Sequence, residues 1–300
     1  MKDKVLGHIA CFMAYAIFGF NIIVTKNISD MHLISPFALF TFRAFGATIL
    51  FWLVSYFLPK ENIEKSDYKK IFMASMLGLF LTQMTFLEGI LITTSLDASI
   101  ISPLVPIFTM LVAAVALKEP ITLKKAGGVV LGFLGVVLLI LNSVGVSSNG
   151  VAQTQPLGVL LLVLNNVFFA LYLGIFRPLI SKYSVVTFMK WMFLFSLMVS
   201  LPFTIKEIVE LEYVSIPFTY YISLAYLIVF ATCIAYYLIP FGQKRLRPTV
   251  VSLYTYLQPL IASVMSIYLG MDRLTWQKIL AAFLVVIAVL LVNRSRAKQN

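Results

Sequence analysis

Two charged side chains stand where charge is expensive. Arg43 lies inside the long apolar tract from Ser35 to Phe57, and Glu88 lies inside the tract from Lys70 to Ile92. At 1.5 Å per helical residue Arg43 is about 12 Å deep, where a charge costs roughly 2.5 to 3.5 kcal/mol on insertion scales. Two readings account for it: a snorkelling or structurally paired cation, or a cavity-facing cation that binds an anionic or carboxylate group. Glu88 is expected at comparable depth, so the two should face one another or a shared wet cavity. Burial and a neighbouring cation pull a carboxylate's proton affinity in opposite directions, which suits a group that takes up and releases a proton. A fixed ion pair is the alternative. Lys190 falls nearer the end of its tract and reads as a snorkelling lysine at the margin of the same pathway. Asp97 opens a tract and reads as a carboxylate facing the positive end of a helix dipole.

Uncharged polar residues inside apolar tracts form the second group. Asn21, Gln83, Asn165, Asn166 and Gln258 could line a pathway or hydrogen-bond between helices, a contact worth only about 0.6 to 2 kcal/mol. Asn165 and Asn166 point about 100° apart on a helix, so one of them should reach a cavity. Tyr15, Tyr172, Tyr236 and Tyr254 could add rings and hydroxyls, or simply pack. Pro106 and Pro259 interrupt the backbone ladder in mid-tract and read as hinge-like bends. Gly128 and Gly132 make a small-xxx-small pair suited to close helix packing, within the chain or at a dimer contact. His8 reads as interfacial, and Cys11 and Cys233 as small buried apolar residues.

The elements that must carry these residues follow from composition. Of 300 residues 61% are hydrophobic and only 12% charged, with a mean hydropathy of +0.97; a soluble domain usually carries about 25% charged residues. Crossing about 30 Å of hydrocarbon takes around 20 residues of α-helix. Ten tracts qualify: Val5 to Asn27, Ser35 to Phe57, Lys70 to Ile92, Asp97 to Leu117 and Lys124 to Leu141, then Pro156 to Arg177, Ser184 to Ile205, Pro217 to Pro240, Arg247 to Leu269 and Trp276 to Asn293. Lys2, Lys4 and Ala14-Tyr15-Ala16 imitate a signal peptide, but the apolar run continues to Val24, so a first span is the expectation.

The net charge of +11 does not point to nucleic acid, because the basic residues cluster between apolar tracts. With the N-terminus inside, the outer loops hold only Lys26, Lys206, Arg273 and Lys278, and Arg43 and Lys190 fall within spans; the rest of the 23 lysines and arginines lie on the inner side. That bias predicts cytoplasmic termini.

The chain also repeats itself. Ser99 to Thr122 lies without gaps on Ser252 to Thr275, matching Ser99 with Ser252, Leu104 with Leu257, Pro106 with Pro259 and Thr122 with Thr275. Glu119 and Asp272 both follow a span, Gly89 falls on Gly242, and small loop adjustments bring Gly7 onto Gly158, Lys26 onto Arg177 and Arg43 onto Lys190. Five spans is an odd number, so the second half enters from the opposite side, an inverted repeat of the kind secondary transporters use. The expected fold is an all-α integral membrane protein, ten transmembrane helices in two inverted five-helix repeats. The first repeat is 5–141, an uncharged extracytoplasmic linker covers 142–155, the second repeat is 156–293, and a basic cytoplasmic tail is 294–300.

At Phe18-Gly19-Phe20-Asn21, Phe42-Arg43-Ala44, Pro106 with Lys118-Glu119, Leu257-Gln258-Pro259 and the Gly127, Gly128, Gly132, Gly135 series, the chain resembles EamA-type transporters of the drug/metabolite transporter superfamily. The resemblance covers nearly the whole chain. It departs where the family's frequent tryptophan is Phe18 and where the glycines of the fifth span become Ala281 and Ala288 in the tenth. The resemblance implies export or exchange of amino acids or other small metabolites through a central cavity.

The function expected is therefore a secondary active transporter of the plasma, or bacterial inner, membrane, exporting a small metabolite by alternating access. Multidrug efflux and metabolite uptake or exchange are the alternatives within the class. A membrane-embedded enzyme would need convergent aspartates, a Ser-His pair or metal ligands at depth, and the two histidines, His8 and His32, are not deep; a receptor or scaffold is the other rival. The expected partners are lipid, a small-molecule substrate, protons as a candidate coupling ion and a homodimer as a candidate assembly, with no cofactor or metal.

Overall fold

The computed structural model describes residues 2–117, 123–145, 154–246, 251, 254–270 and 275–294. Expectations that fall on Glu119, Asp272 or the centre of the 142–155 linker lie outside the described residues. Among the described residues all regular structure is helical. The helices are α1 Lys2–Asp30, α2 Pro36–Tyr56, α3 Lys65–Leu91, α4 over 95–117 and α5 Leu123–Gly145. After the midpoint come α6 Pro156–Ile175, the short α7 Arg177–Lys182, α8 Val185–Glu210, α9 Phe218–Arg245, α10 Leu257–Tyr268 and α11 Trp276–Arg294. Among the described residues seven helical segments are long and apolar enough to cross a membrane: those in α1, α2, α3, α4, α6, α8 and α9.

Several bounds run past the apolar tracts that predict them. α3 starts at Lys65 rather than Lys70, α8 ends at Glu210 rather than Ile205, and α9 passes Pro240 to reach Arg245. Helix does not stop where hydrocarbon would, because its own hydrogen bonds continue to satisfy the backbone in polar surroundings. Ser35 caps α2, its side chain accepting from the Ala38 N–H with Pro36 in the first turn, and Ser184 caps α8 through the Thr187 N–H. Both satisfy helix-terminal donors that have no partner inside the helix.

The helices are inverted in polarity relative to a soluble bundle. Phe12, Phe45, Leu53, Phe203 and Ile222 are exposed, while Asn21, Thr41, Arg43, Ser75, Gln83, Asn166, Ser196 and Thr204 are buried. Ser75 and Ser196 share a 2.8 Å hydrogen bond between α3 and α8, and Thr204 donates to Thr41 at 3.0 Å between α8 and α2. Polar groups directed inward and apolar ones outward fit lipid as the solvent.

Local departures from α-helix fall in matching places. α3 carries a π-helical stretch over Met76–Leu81 and α9 one over Leu227–Ile234. Thr82 donates its hydroxyl to the Leu77 carbonyl at 2.6 Å and Thr232 donates to Leu227 at 2.7 Å, each reaching back five residues. α4 contains a 3₁₀ turn, Ser102–Leu104, and α10 is preceded by another, Tyr254–Tyr256. Close crossings match too. A Cβ on Gly158 of α6 would lie 3.1 Å from the Gly89 carbonyl oxygen of α3, and a Cβ on Gly242 of α9 would lie 3.4 Å from the Gly7 carbonyl oxygen of α1. Gly132 of α5 packs inside the chain: a Cβ on it would meet Ile107 at 3.0 Å, Leu104 at 3.2 Å and Ala288 at 3.6 Å.

The ends of the bundle are tied. At one end Lys182 reaches both Asp67 and Glu64 at 2.7 Å, Tyr183 donates to Asp67 at 2.8 Å, and Glu61 accepts from the Ser184 N–H. Lys244 donates to the Tyr183 carbonyl, and Arg245 pairs with Asp3 at 3.0 Å. At the other end Ser35 donates to Glu207 from both its N–H and its hydroxyl at 2.6 Å, and Lys26 pairs with Asp30 at 2.8 Å. There too the Gln155 N–H donates to the Ile92 carbonyl at 2.9 Å, and Thr154 donates to Asp97.

Candidate functional site

A cavity of about 540 Å³, open solvent included, lies where six helical elements meet. Phe18, Asn21 and Ile22 come from α1, Thr82, Gln83 and Phe86 from α3, and Ser102 and Val105 from α4. Asn165, Asn166 and Phe169 come from α6, Tyr236 from α9, and Thr255 and Gln258 from the 3₁₀ turn and start of α10. The lining is amide and hydroxyl with four aromatic rings, and it carries no formal charge. Such a surface offers donors and acceptors to a polar solute and flat apolar faces to the rest of it.

Side chains in the lining are held by their neighbours. Gln83 donates from Nε2 to the Tyr236 hydroxyl at 2.5 Å, joining α3 to α9. Asn165 donates to the Thr82 carbonyl at 2.7 Å and Asn166 to the Ile101 carbonyl at 2.8 Å, so each neighbour ties α6 to a different helix. Thr25 donates to Asn21 Oδ1 at 3.3 Å one turn along α1. The Tyr236 ring meets Phe18 at 5.6 Å and Phe193 at 5.8 Å, both edge to face.

Proline acts on the lining through the backbone. A proline removes the helical donor for the carbonyl four residues earlier. For Pro106 that carbonyl belongs to Ser102, for Pro259 to Thr255, and for Pro240 to Tyr236; all three residues line the cavity. The Ser102 carbonyl takes a tighter bond from the Val105 N–H instead. The π-helical turns work similarly, since the Thr82 carbonyl that follows the first one is the acceptor for Asn165.

The structure separates the residues singled out from the sequence. Asn21, Gln83, Asn165, Asn166, Tyr236 and Gln258 come together in the lining. The expected pairing of Arg43 with Glu88 is not formed. Arg43 is 1% exposed and donates from Nε to the Thr232 hydroxyl at 2.9 Å, and Glu88, only half-buried, makes no ion pair or hydrogen bond among the described residues. Equal depth does not put two residues on facing sides of their helices, and α2 turns Arg43 toward α9.

Tyr172 is fully buried beside the lining, its ring filling the space where a Cβ on Gly78 would stand, 2.5 Å away. Lys190 lies outside the cavity, donating to Ser55 at 2.7 Å with its ammonium 5.0 Å from the Trp52 ring centre. Tyr254 shares a 2.7 Å hydrogen bond with exposed His8. Pro106 follows the 3₁₀ turn of α4, and Pro259 occupies the first turn of α10. Thr82, Ser102 and Thr255 are lining residues that sequence reasoning missed, because hydroxyls in apolar helices ordinarily bond back to their own backbone. The prolines four residues after Ser102 and Thr255 were the signal available.

A multi-pass helical membrane protein with a polar cavity between its helices defines the class to which a solute carrier belongs. Residues 5–141 and again residues 156–294 match the EamA-like transporter family, and the chain belongs to that family. It is similar to an uncharacterized transporter of Archaeoglobus fulgidus, 27% identical over 158 residues, which is 53% of each protein, so the match spans about half of that relative's length. It is 25% identical to the uncharacterized transporter YetK of Bacillus subtilis over 89% of this chain and 80% of YetK. The uncharacterized transporter YyaM of the same organism is 26% identical over 77% of this chain and 76% of YyaM. A solved crystal structure with a TM-score of 0.63, covering 97% of this chain and 96% of its own at 15% identity, shares the fold.

Proposed function

We propose that this chain is a secondary active transporter that exports a small polar metabolite, such as an amino acid, by alternating access, driven by a proton or by the substrate's own gradient. The observation that carries this reading is the cavity: α1, α3 and α4 line it from one repeat, and α6, α9 and α10 from the other. In the proposed arrangement the chain crosses the bacterial inner membrane ten times, with both termini cytoplasmic and the second half upside down relative to the first. Two features support the inversion. α1 ends at the same end of the bundle where α6 begins, since Lys26 donates to the Leu91 carbonyl and Gln155 to Ile92. The crossing of Gly7 with Gly242 and that of Gly158 with Gly89 sit at repeat-related positions, each pairing one half with the other. Halves joined in this way can exchange two similar packings around a shared site.

The test is flux from liposomes reconstituted with the purified chain, loaded with a panel of amino acids and other small metabolites, with and without a pH gradient. Protein-dependent flux of at least one panel member, lost in Gln83→Leu, is the expected result. Absence of flux for every member under either gradient would overturn the reading.

A further inference from the structure

Arg43 carries an unanswered demand for an anion. Its side chain is 1% exposed, and Nε alone finds an acceptor, the Thr232 hydroxyl at 2.9 Å; Nη1 and Nη2 are buried with no hydrogen-bond partner among the described residues. Among the described residues the titratable groups within its electrostatic reach are Tyr236, Cys233 and Tyr226, and no carboxylate is among them. A buried cation with no counter-charge is strongly unfavourable, and proteins ordinarily pair it or let a ligand do so. Further unsatisfied polar groups lie around Tyr236. Among the described residues the hydroxyls of Tyr15 and Tyr172 and the Oε1 of Gln83 are buried without hydrogen-bond partners, and both tyrosines lie within electrostatic reach of Tyr236. Tyr236 is the residue common to this region and to the cavity lining.

We propose that the two free Nη groups of Arg43 bind the carboxylate of the transported substrate, with Tyr236 between them and the amide-lined cavity that takes the rest of the molecule. A guanidinium presents parallel N–H donors that match the two oxygens of a carboxylate. The Thr232 bond fixes the guanidinium's plane from its Nε side, and that threonine is itself fixed by the π-helical turn through Leu227. This proposal rests on the transporter reading and narrows the substrate to a small carboxylic acid or amino acid.

Ligand-induced shifts of the melting point of the purified full chain in detergent test it without relying on flux. The probes are L-leucine, L-phenylalanine, succinate and benzoate, each against its amide: L-leucinamide, L-phenylalaninamide, succinamide and benzamide. The expected result is that at least one carboxylate stabilises the chain with an apparent affinity tenfold or more above that of its amide. Arg43→Gln should remove that difference, and Arg43→Lys should keep part of it. If Arg43→Gln does not fold, Arg43→Lys is read in its place, and discrimination undiminished in Arg43→Lys overturns the proposal. No discrimination by the unaltered chain, or discrimination that survives Arg43→Gln, would overturn the proposal. Flux without discrimination overturns this proposal and leaves the transporter reading standing; discrimination without flux overturns the transporter reading and leaves only a carboxylate-binding site at Arg43.

Discussion

The Thr232 hydroxyl sits between two partners, donating to the Leu227 carbonyl and accepting from Arg43 Nε. Thr232→Val leaves that nitrogen buried without an acceptor, a loss of about 1 to 3 kcal/mol that a lowered melting point in detergent would register. Glu88 gives the opposite expectation. It stands apart from Arg43 and from the cavity, so Glu88→Gln should leave flux and its pH dependence within about twofold of the unaltered chain, the range of substitutions away from special features. A loss of pH dependence would restore Glu88 as the proton carrier. These two residues mark the limit of what the chain discloses unaided. Depth within a span is legible from residue count, which is how both were singled out; the direction a side chain faces depends on which helix packs beside it. The amides were easier to read, because an unpaired amide is costly in lipid whichever way it points.

Repeated glycine crossings hold the elements together. A Cβ on Gly158 would stand 2.5 Å from Thr93 and 2.9 Å from Ile92, so Gly158→Ala must push α6 away from the end of α3. Overpacking of this kind costs roughly 1 to 3 kcal/mol. Among the described residues nothing lies within 4 Å of a would-be Cβ on Gly127 in α5, so Gly127→Ala should be neutral or add up to about 1 kcal/mol through helix propensity. Melting the two variants side by side in detergent checks the contrast. The spacing that set Gly89 on Gly242 was visible in the sequence. Their function as crossing points was not, because a repeat says which residues correspond but not which helices touch. The π-helical turns were likewise hidden: Met76–Leu81 and Leu227–Ile234 are ordinary apolar stretches, and only their threonines, bonded five residues back, betray the register change.

Charged side chains close one end of the whole molecule. Lys182 is raised above the ordinary lysine range, chiefly by its hydrogen bonds to Asp67 and Glu64. Burial works to raise Glu61, but hydrogen bonds from Ser184 outweigh it and hold the carboxyl below the usual glutamate range. The two signs define a window. Stability from Glu61 is present above the ordinary glutamate value of about 4.3 and is lost as pH falls through its lowered one. Stability from Lys182 is present below the ordinary lysine value of about 10.4 and is lost as pH rises through its raised one. The melting point should therefore be flat through neutral pH and fall at both extremes. Asp67→Asn, which takes the charge from the partner of Lys70, Lys182 and Tyr183, should lower it throughout that plateau.

Alternating access makes one demand that no static bundle meets: the same cavity residue must be reachable from either face of the membrane. Ser102→Cys, in a chain whose Cys11 and Cys233 are replaced by alanine, places one thiol in the lining. A membrane-impermeant thiol reagent is then applied to reconstituted vesicles from the outside or from the lumen. Labelling from both sides, with flux falling as labelling proceeds, is the predicted result. Labelling from a single side, or full flux through a labelled chain, would contradict the account.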